Sequence, residues 1–194
     1  MDPLPKNKKA MMGLVQAALV LGALVAALVA FVMAVHALFP GLDTGSPGKP
    51  PEGVKSYSHL SRHHVEGPVH YAQNPPVGGN HNPVWQNCGF YPKPLQNVHA
   101  VHSMEHGAVW ITYRPDLPKD QVEKIKKLVE GQTYLLASPY PNLPAPVVAS
   151  AWGEQLELGS ANDPRLEQFV KAFREGPQTP EPGAPCIGGI GSPQ

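Results

Sequence analysis

The chain has no excess charge of either sign. Its 194 residues carry 15 Lys and Arg against 15 Asp and Glu, a formal net charge of zero, and no basic patch stands out. The electrostatic footprint of a nucleic-acid binder is missing, so nucleic acid is excluded as the expected partner. Cysteine is nearly absent: Cys88 and Cys186 are the two present, too few for a disulfide-dense scaffold. There is no phosphate loop, no nucleotide fingerprint, no Ser/His/Asp arrangement and no internal repeat. Between Met11 and Phe39 no acidic or basic residue occurs apart from His36. No histidine follows His106, although the chain has nine and eight of them fall between His59 and His106. Proline (24) and glycine (19) are abundant, so the loops are long and stiff.

The uncharged run Met11–Phe39 is 29 residues long, more than the roughly 20 needed to cross a bilayer. Lys6, Lys8 and Lys9 precede it, which by the positive-inside rule predicts a cytoplasmic N-terminus and an exported C-terminal domain in a single-pass membrane protein. Val35-His36-Ala37 also resembles a signal-peptide cleavage site. Signal-peptide apolar regions are usually about 7–15 residues, so the expected reading is an uncleaved anchor; either reading exports the domain. The expected organisation is a cytoplasmic tail at 1–10, an anchor at 11–39, a Pro/Gly linker at 40–55, a folded domain at 56–186 and a tail at 187–194.

Within the domain, the stretch Asn97–Tyr113 stands out: N-V-H-A-V-H-S-M-E-H-G-A-V-W-I-T-Y. His102 and His106 are four apart with Glu105 between them. On a helix such a pair shares a face at about 6 Å between Cβ atoms; on a strand the separation is roughly 13 Å. Chelation by this pair therefore requires a helical turn, which Gly107 is suited to end. Ala108–Tyr113 reads as a buried strand. Asp116 is placed to cap a helix over Leu117–Glu130, with Val122, Ile125, Leu128 and Val129 on its apolar face. Thr133–Ser138, Val147–Trp152 and Glu154–Leu158 read as strands, and Asp163-Pro164 as the start of a helix lined by Leu166, Phe169, Val170 and Phe173 and stopped by Gly176.

The expected fold is α+β: a small mixed sheet with two helices on one face. The strands at Ala108 and Thr133 would be parallel and joined by a crossover through the first helix, the strand at Val147 antiparallel, and the His-rich half would wrap an edge or the other face. That half, Ser56–Pro94, has few helix signals. Val69-His70-Tyr71 is a possible short strand. Asn74–His81 (N-P-P-V-G-G-N-H) must be a tight loop holding His81, with Trp85, Phe90 and Tyr91 expected to pack over it.

The ordered set Pro75-Pro76-Val77-Gly78-Gly79-Asn80-His81, Gly89-Phe90-Tyr91, His102-Ser103-Met104-Glu105-His106-Gly107-Ala108-Val109, Trp152-Gly153 and Cys186 resembles the bacterial family of membrane-anchored domains of unknown function numbered three-one-zero-five. The resemblance runs from His64 to Cys186 and implies the exported location and the architecture, but no activity. Two departures are Gly78, where the family pattern has Ser, and Met104, at a position often Leu.

The chemistry is read from the side chains. His81, His102 and His106 are candidate ligands for a transition metal, neutral imidazole being suited to zinc, copper, iron or nickel; equally, they can be structural histidines bonded to backbone and to Glu105. His64 is the candidate fourth ligand, since it falls inside the resemblance. Met104 and Cys88 are soft donors that put copper first and zinc second, in an extracytoplasmic setting. Against this, Met104 can simply be core, and the expected state of Cys88 is a disulfide with Cys186 in an oxidising compartment, which would pin the Pro/Gly tail onto the His-rich half. Glu105 is either a support for a ligand imidazole or the general base of an H-x-x-E-H zinc hydrolase. His59, His63 and His70 form a loose surrounding tract. The leading expectation is a membrane-anchored metal-binding domain; the competing ones are a scaffold with structural histidines and a zinc hydrolase.

Overall fold

The computed structural model describes residues 20–27, 29–31, 33–34 and 48–194. The chain divides into two compact units, Met1–Ser46 and Pro47–Gln194. In the first, the described residues are helical (α1), and their large apolar side chains, from Val20 to Met33, are exposed. Most of the anchor expected at Met11–Phe39 lies outside the described residues, and among those described no helix is long and apolar enough to cross a membrane.

The second unit is an α+β domain. Its described elements are β1 (Lys55–Ser56), β2 (Gly89–Phe90), α2 (Asn97–Glu105), β3 (Val109–Tyr113), α3 (Lys119–Val129), β4 (Leu135–Pro139), β5 (Val147–Ala151), β6 (Glu154–Leu158) and α4 (Arg165–Phe173). The strands form one mixed sheet in the order β1-β6-β5-β3-β4-β2. As the sequence predicts, β3 and β4 are parallel, with Ile111 opposite Ala137, and β5 runs antiparallel to β3, with Ile111 opposite Ala149.

The strands β3, β4 and β5 are buried at every residue, which requires cover on both faces of the sheet. On one face Val109, Ile111, Leu135, Ala149 and Leu156 meet Ile125 and Val129 of α3 and Phe169 and Phe173 of α4. Alternate residues turn to the other face, where Trp110 and Leu136 meet Ala100, Val101 and Met104 of α2, together with Tyr91 and Trp152. The His-rich half thus packs on the face opposite the two amphipathic helices.

Three local expectations fail for identifiable reasons. Helix α3 begins at Lys119 after Pro118, not at Leu117 with an Asp116 cap, because a residue before proline is pushed out of the α region. Val69-His70-Tyr71 forms no strand; the pairing in this part of the described chain is two isolated bridges, His64 with His81 and Gln86 with Ile190. Phe90 does not pack over the loop at His81. Its ring stacks on Tyr113 at 6.3 Å on the α3/α4 face, since Gly89-Phe90 joins the sheet as β2 and consecutive residues there face opposite ways.

The tight loop before His81 is fixed to the β5–β6 hairpin. Gln155 donates to the Pro75 carbonyl at 2.9 Å and the Gly153 amide donates to the Val77 carbonyl at 2.7 Å. At Gly78, φ is +147°, and an added Cβ would sit 2.8 Å from Leu60 Cδ1 and 3.2 Å from the Trp152 ring. Gly78→Ser is therefore expected to destabilise this chain by about 1–3 kcal/mol, read as a lower thermal midpoint. An unchanged midpoint would show that Leu60 and Trp152 yield freely.

Candidate metal centre

Helix α2 ends in a Schellman motif: the Ala108 amide donates to the Ser103 carbonyl at 2.9 Å and the Gly107 amide to Met104 at 3.0 Å, with Gly107 at φ +107°. This is the pattern in which a left-handed residue satisfies the last helical carbonyls and turns the chain away. It fixes the last turn, carrying His102 and Glu105, directly ahead of β3. From the opposite side, the His63–Val65 segment pairs with the loop end at His81: the Val65 amide donates to the His81 carbonyl at 2.8 Å and the His81 amide to the His63 carbonyl at 3.1 Å. His64 and His81 are thereby set side by side against the helix end.

The result is a contiguous group of imidazoles. Ring centroids lie 4.9 Å apart for His64–His81, 4.8 Å for His64–His102 and 4.8 Å for His81–His102. Glu105 joins them. One ligand atom from each of His64, His81, His102 and Glu105 can be chosen so that all lie within 4.8 Å of one another. A tetrahedral site with bonds near 2.1 Å has ligand atoms roughly 3.4 Å apart, so the widest separation must close by about 1.4 Å. His64, with 47 % of its side chain exposed, has the most room to move.

The backbone sets the tautomers. His81 Nδ1 donates to the Gly79 carbonyl at 2.7 Å and His102 Nδ1 to the Asn82 carbonyl at 2.7 Å. A carbonyl accepts only, so in the neutral ring each Nε2 carries the lone pair, the state a metal ligand needs. His81 is fully buried. Its Nε2 is 2.8 Å from Glu105 Oε2 but has no partner in hydrogen-bond geometry: the two atoms are close but not aligned. The other carboxylate oxygen, Oε1, accepts from Arg62 Nε at 3.1 Å. Trp152 and Trp85 wall the site, with ring centroids 5.9 Å from His81 and 5.7 Å from His102.

The family described as protein of unknown function (DUF3105) matches residues 64–188. The chain belongs to this family. No curated protein and no solved structure matches it. Within the DUF3105 region lie all four grouped residues and both cysteines. His64 is the first matched residue.

Of the residues singled out in the sequence, the structure groups His64, His81 and His102. His106 stands outside the four. Its ring is 4.5 Å from that of His102, yet its Nδ1 donates to the Pro185 carbonyl at 2.7 Å and its Nε2 faces Glu181 Oε2 at 3.9 Å. The reason lies in its partner and not in the helix end, since His106 is still in the α region as the C-cap: the bond to Pro185 turns the ring toward the C-terminal tail. Met104 is fully buried in the core cluster with Trp110 and Leu136. Cys88 is bonded to Cys186, with Cα atoms 5.4 Å apart, and offers no thiolate. Glu105 takes the place expected of His106, and the sequence carries no signal for the swap, since Glu66 lies just as close to the histidines.

Burial lowers His102 to about 4 from the ordinary 6.5; His106, His81 and His64 add to the effect, and the bond to Asn82 offsets part of it. Between those pH values the unfolded chain binds the proton and the folded chain does not, so stability falls as pH drops through this window, and the contribution is complete above 6.5. The expected loss is up to roughly 3 kcal/mol, measured as urea unfolding of metal-free protein from pH 7 to 4. His102→Gln should flatten the slope; an unchanged slope would place its origin elsewhere.

Proposed function

We propose that the domain binds a divalent transition metal through His64, His81, His102 and Glu105, on the extracytoplasmic side of a membrane to which Met11–Phe39 anchors it. The observation that carries the metal reading is His81 Nε2: a fully buried nitrogen without a hydrogen-bond partner, in the middle of a four-donor group. Leaving such an atom unpaired costs about 1–3 kcal/mol, and a coordinated ion removes that cost. The donor set is three nitrogens and one oxygen. The soft donors that favoured copper do not reach it, so zinc(II) comes first and copper(II) second. Glu105, held by Arg62 and counted among the donors, is not free to serve as the base of an H-x-x-E-H hydrolase. The exposed apolar side chains of α1 support the anchor, because a helix apolar all round belongs in a core or a bilayer.

A second reading rests on the same 2.8 Å contact. A proton between His81 Nε2 and Glu105 Oε2 would make the group a structural network like those of a scaffold. Titration of the full-length chain with zinc(II) against a competing chelator separates the two, with Trp85 and Trp152 as fluorescence reporters and copper(II) in parallel. Submicromolar zinc binding at one site per chain is the expected result. No binding of either ion at micromolar concentration leaves the structural network.

A further inference from the structure

The last turn of α2 is wrapped by the C-terminal tail, and the contacts form an unbroken series. The Glu175 amide donates to the Gly107 carbonyl at 2.9 Å, and the Glu181 amide donates to the Glu105 carbonyl at 3.0 Å. Glu181 Oε1 lies 3.5 Å from Arg62 Nη2, and the same guanidinium holds Glu105 Oε1 through Nε at 3.1 Å. Pro185 accepts from His106, and Ala184 accepts from Tyr134 Oη at 2.8 Å. The next residue is Cys186, bonded to Cys88, whose amide also donates to the Cys186 carbonyl at 2.8 Å. The tail has no helix or strand of its own after α4 among the described residues; beyond Cys186 it is held by Ile190, which bonds to Trp85 and Asn87, and the disulfide is the covalent link between the two segments.

Resting on the metal reading above, we propose that Arg62 and Glu181 are positioning residues for the Glu105 ligand and that the Cys88–Cys186 disulfide sets the metal affinity through them. With the bond closed, Glu181 holds Arg62, and Arg62 fixes one carboxylate oxygen so that the other, Oε2, points at the three imidazoles. With the bond open, residues 175–186 keep only hydrogen bonds, those above and those of Ile190 to Trp85 and Asn87 beyond them, so that Glu181 can withdraw from Arg62 and the Glu105 carboxylate can rotate. His106 then has a task that fits its geometry: it docks the tail through Pro185, one residue before the disulfide.

Opening is a two-electron reduction by a dithiol. One thiolate attacks a sulfur of the Cys88–Cys186 bond, and the second thiol of the reagent resolves the mixed disulfide. Two electrons and two protons end on Cys88 and Cys186, and the reagent leaves as its own disulfide. Both cysteines are buried but the residues flanking Cys186 are exposed, so the reagent reaches the bond by local lifting of the tail. The device releases metal in a reducing environment and retains it in an oxidising one.

The test uses the full-length chain, zinc(II) and a chromogenic chelator, and compares the disulfide-bonded parent with Cys88→Ser/Cys186→Ser, which avoids thiols that themselves bind zinc. Removing an outer partner of a metal ligand costs about ten- to a hundredfold in affinity, and a loss of about tenfold or more is expected for the serine pair. Glu181→Gln and Arg62→Gln should each weaken zinc binding in the bonded chain, and Glu181→Gln should add little in the serine background, the non-additivity of one connected network. Parental affinity in the serine pair overturns the proposal. If the serine pair does not fold, the two charge variants decide, and parental affinity in both overturns it. A parent that itself binds no zinc removes the metal reading and this proposal together; a binding parent with unaffected variants removes only the proposal.

Discussion

Replacing His81 with alanine is expected to abolish high-affinity zinc binding. The loss should exceed the roughly hundredfold typical of outer-shell changes, because His81 is buried, its Nε2 has no other partner, and its ring stands within 5 Å of both neighbouring imidazoles. His102→Ala should do the same. His64→Ala should cost less, since water or a displaced side chain can reach that half-exposed position. His106→Ala should weaken binding only as far as it loosens the tail, and Met104→Leu should leave zinc affinity at the parental level. The measurement is competitive titration of each variant, with circular dichroism as a check on folding. Equal, large losses in His81→Ala, His102→Ala and His106→Ala, with none in His64→Ala, would return His106 to the ligand set and displace Glu105.

Removing the disulfide is expected to lower the stability of the metal-free domain by about 4–5 kcal/mol in the chain-entropy model, because the bond closes a loop of 98 residues. For a domain of this size each kcal/mol moves the thermal midpoint by about 2–4 °C, so Cys88→Ser/Cys186→Ser should melt roughly 10–20 °C below the parent. The loop joins the edge strand β2 to the tail and encloses most of the sheet. A shift of only a degree or two would mean that the unfolded chain is already compact enough to keep the two ends close without the bond. The stability readout is taken without metal, which keeps it independent of any change in affinity.

The strands β3 to β6 and the helices α3 and α4 were legible because their periodicity is local and strong: Val109–Tyr113 is apolar throughout, and the apolar stripe of α3 recurs at helical spacing. The helical turn at His102 and its stop at Gly107 were legible for the same reason. The composition of the site was only half legible. His81 and His102 follow from spacing and loop stiffness, but the choice between Glu105 and His106 depends on a contact with the distant C-terminal tail. His106 keeps helical backbone angles, and it is the Pro185 carbonyl, 79 residues later, that takes its Nδ1 and turns the ring away. Met104 illustrates a second limit. Alternation along the chain cannot tell the core side of a short helix from its exposed side when the packing partner, here Trp110 and Leu136, comes from strands later in sequence. The Cys88–Cys186 bond was legible from the pair of lone cysteines, but the tail's contacts with Arg62, Glu105 and His106 were not, because a proline- and glycine-rich tail carries no periodic signal.

The four donors sit on three stretches of chain far apart in sequence, and the first two, around His64 and His81, belong to a part of the domain without helices or paired strands longer than two residues. An ion there would act as a reversible crosslink, clasping that irregular span to the end of α2. At a free-ion concentration of a hundred times Kd it would add about 2.7 kcal/mol to folding, concentrated on the loops least able to hold themselves. Proteases would then read the metal content of the surroundings: the span from Tyr57 to Gln86 would be cut in the empty domain and spared in the loaded one, so that the ion's presence would govern the protein's lifetime as well as its occupancy.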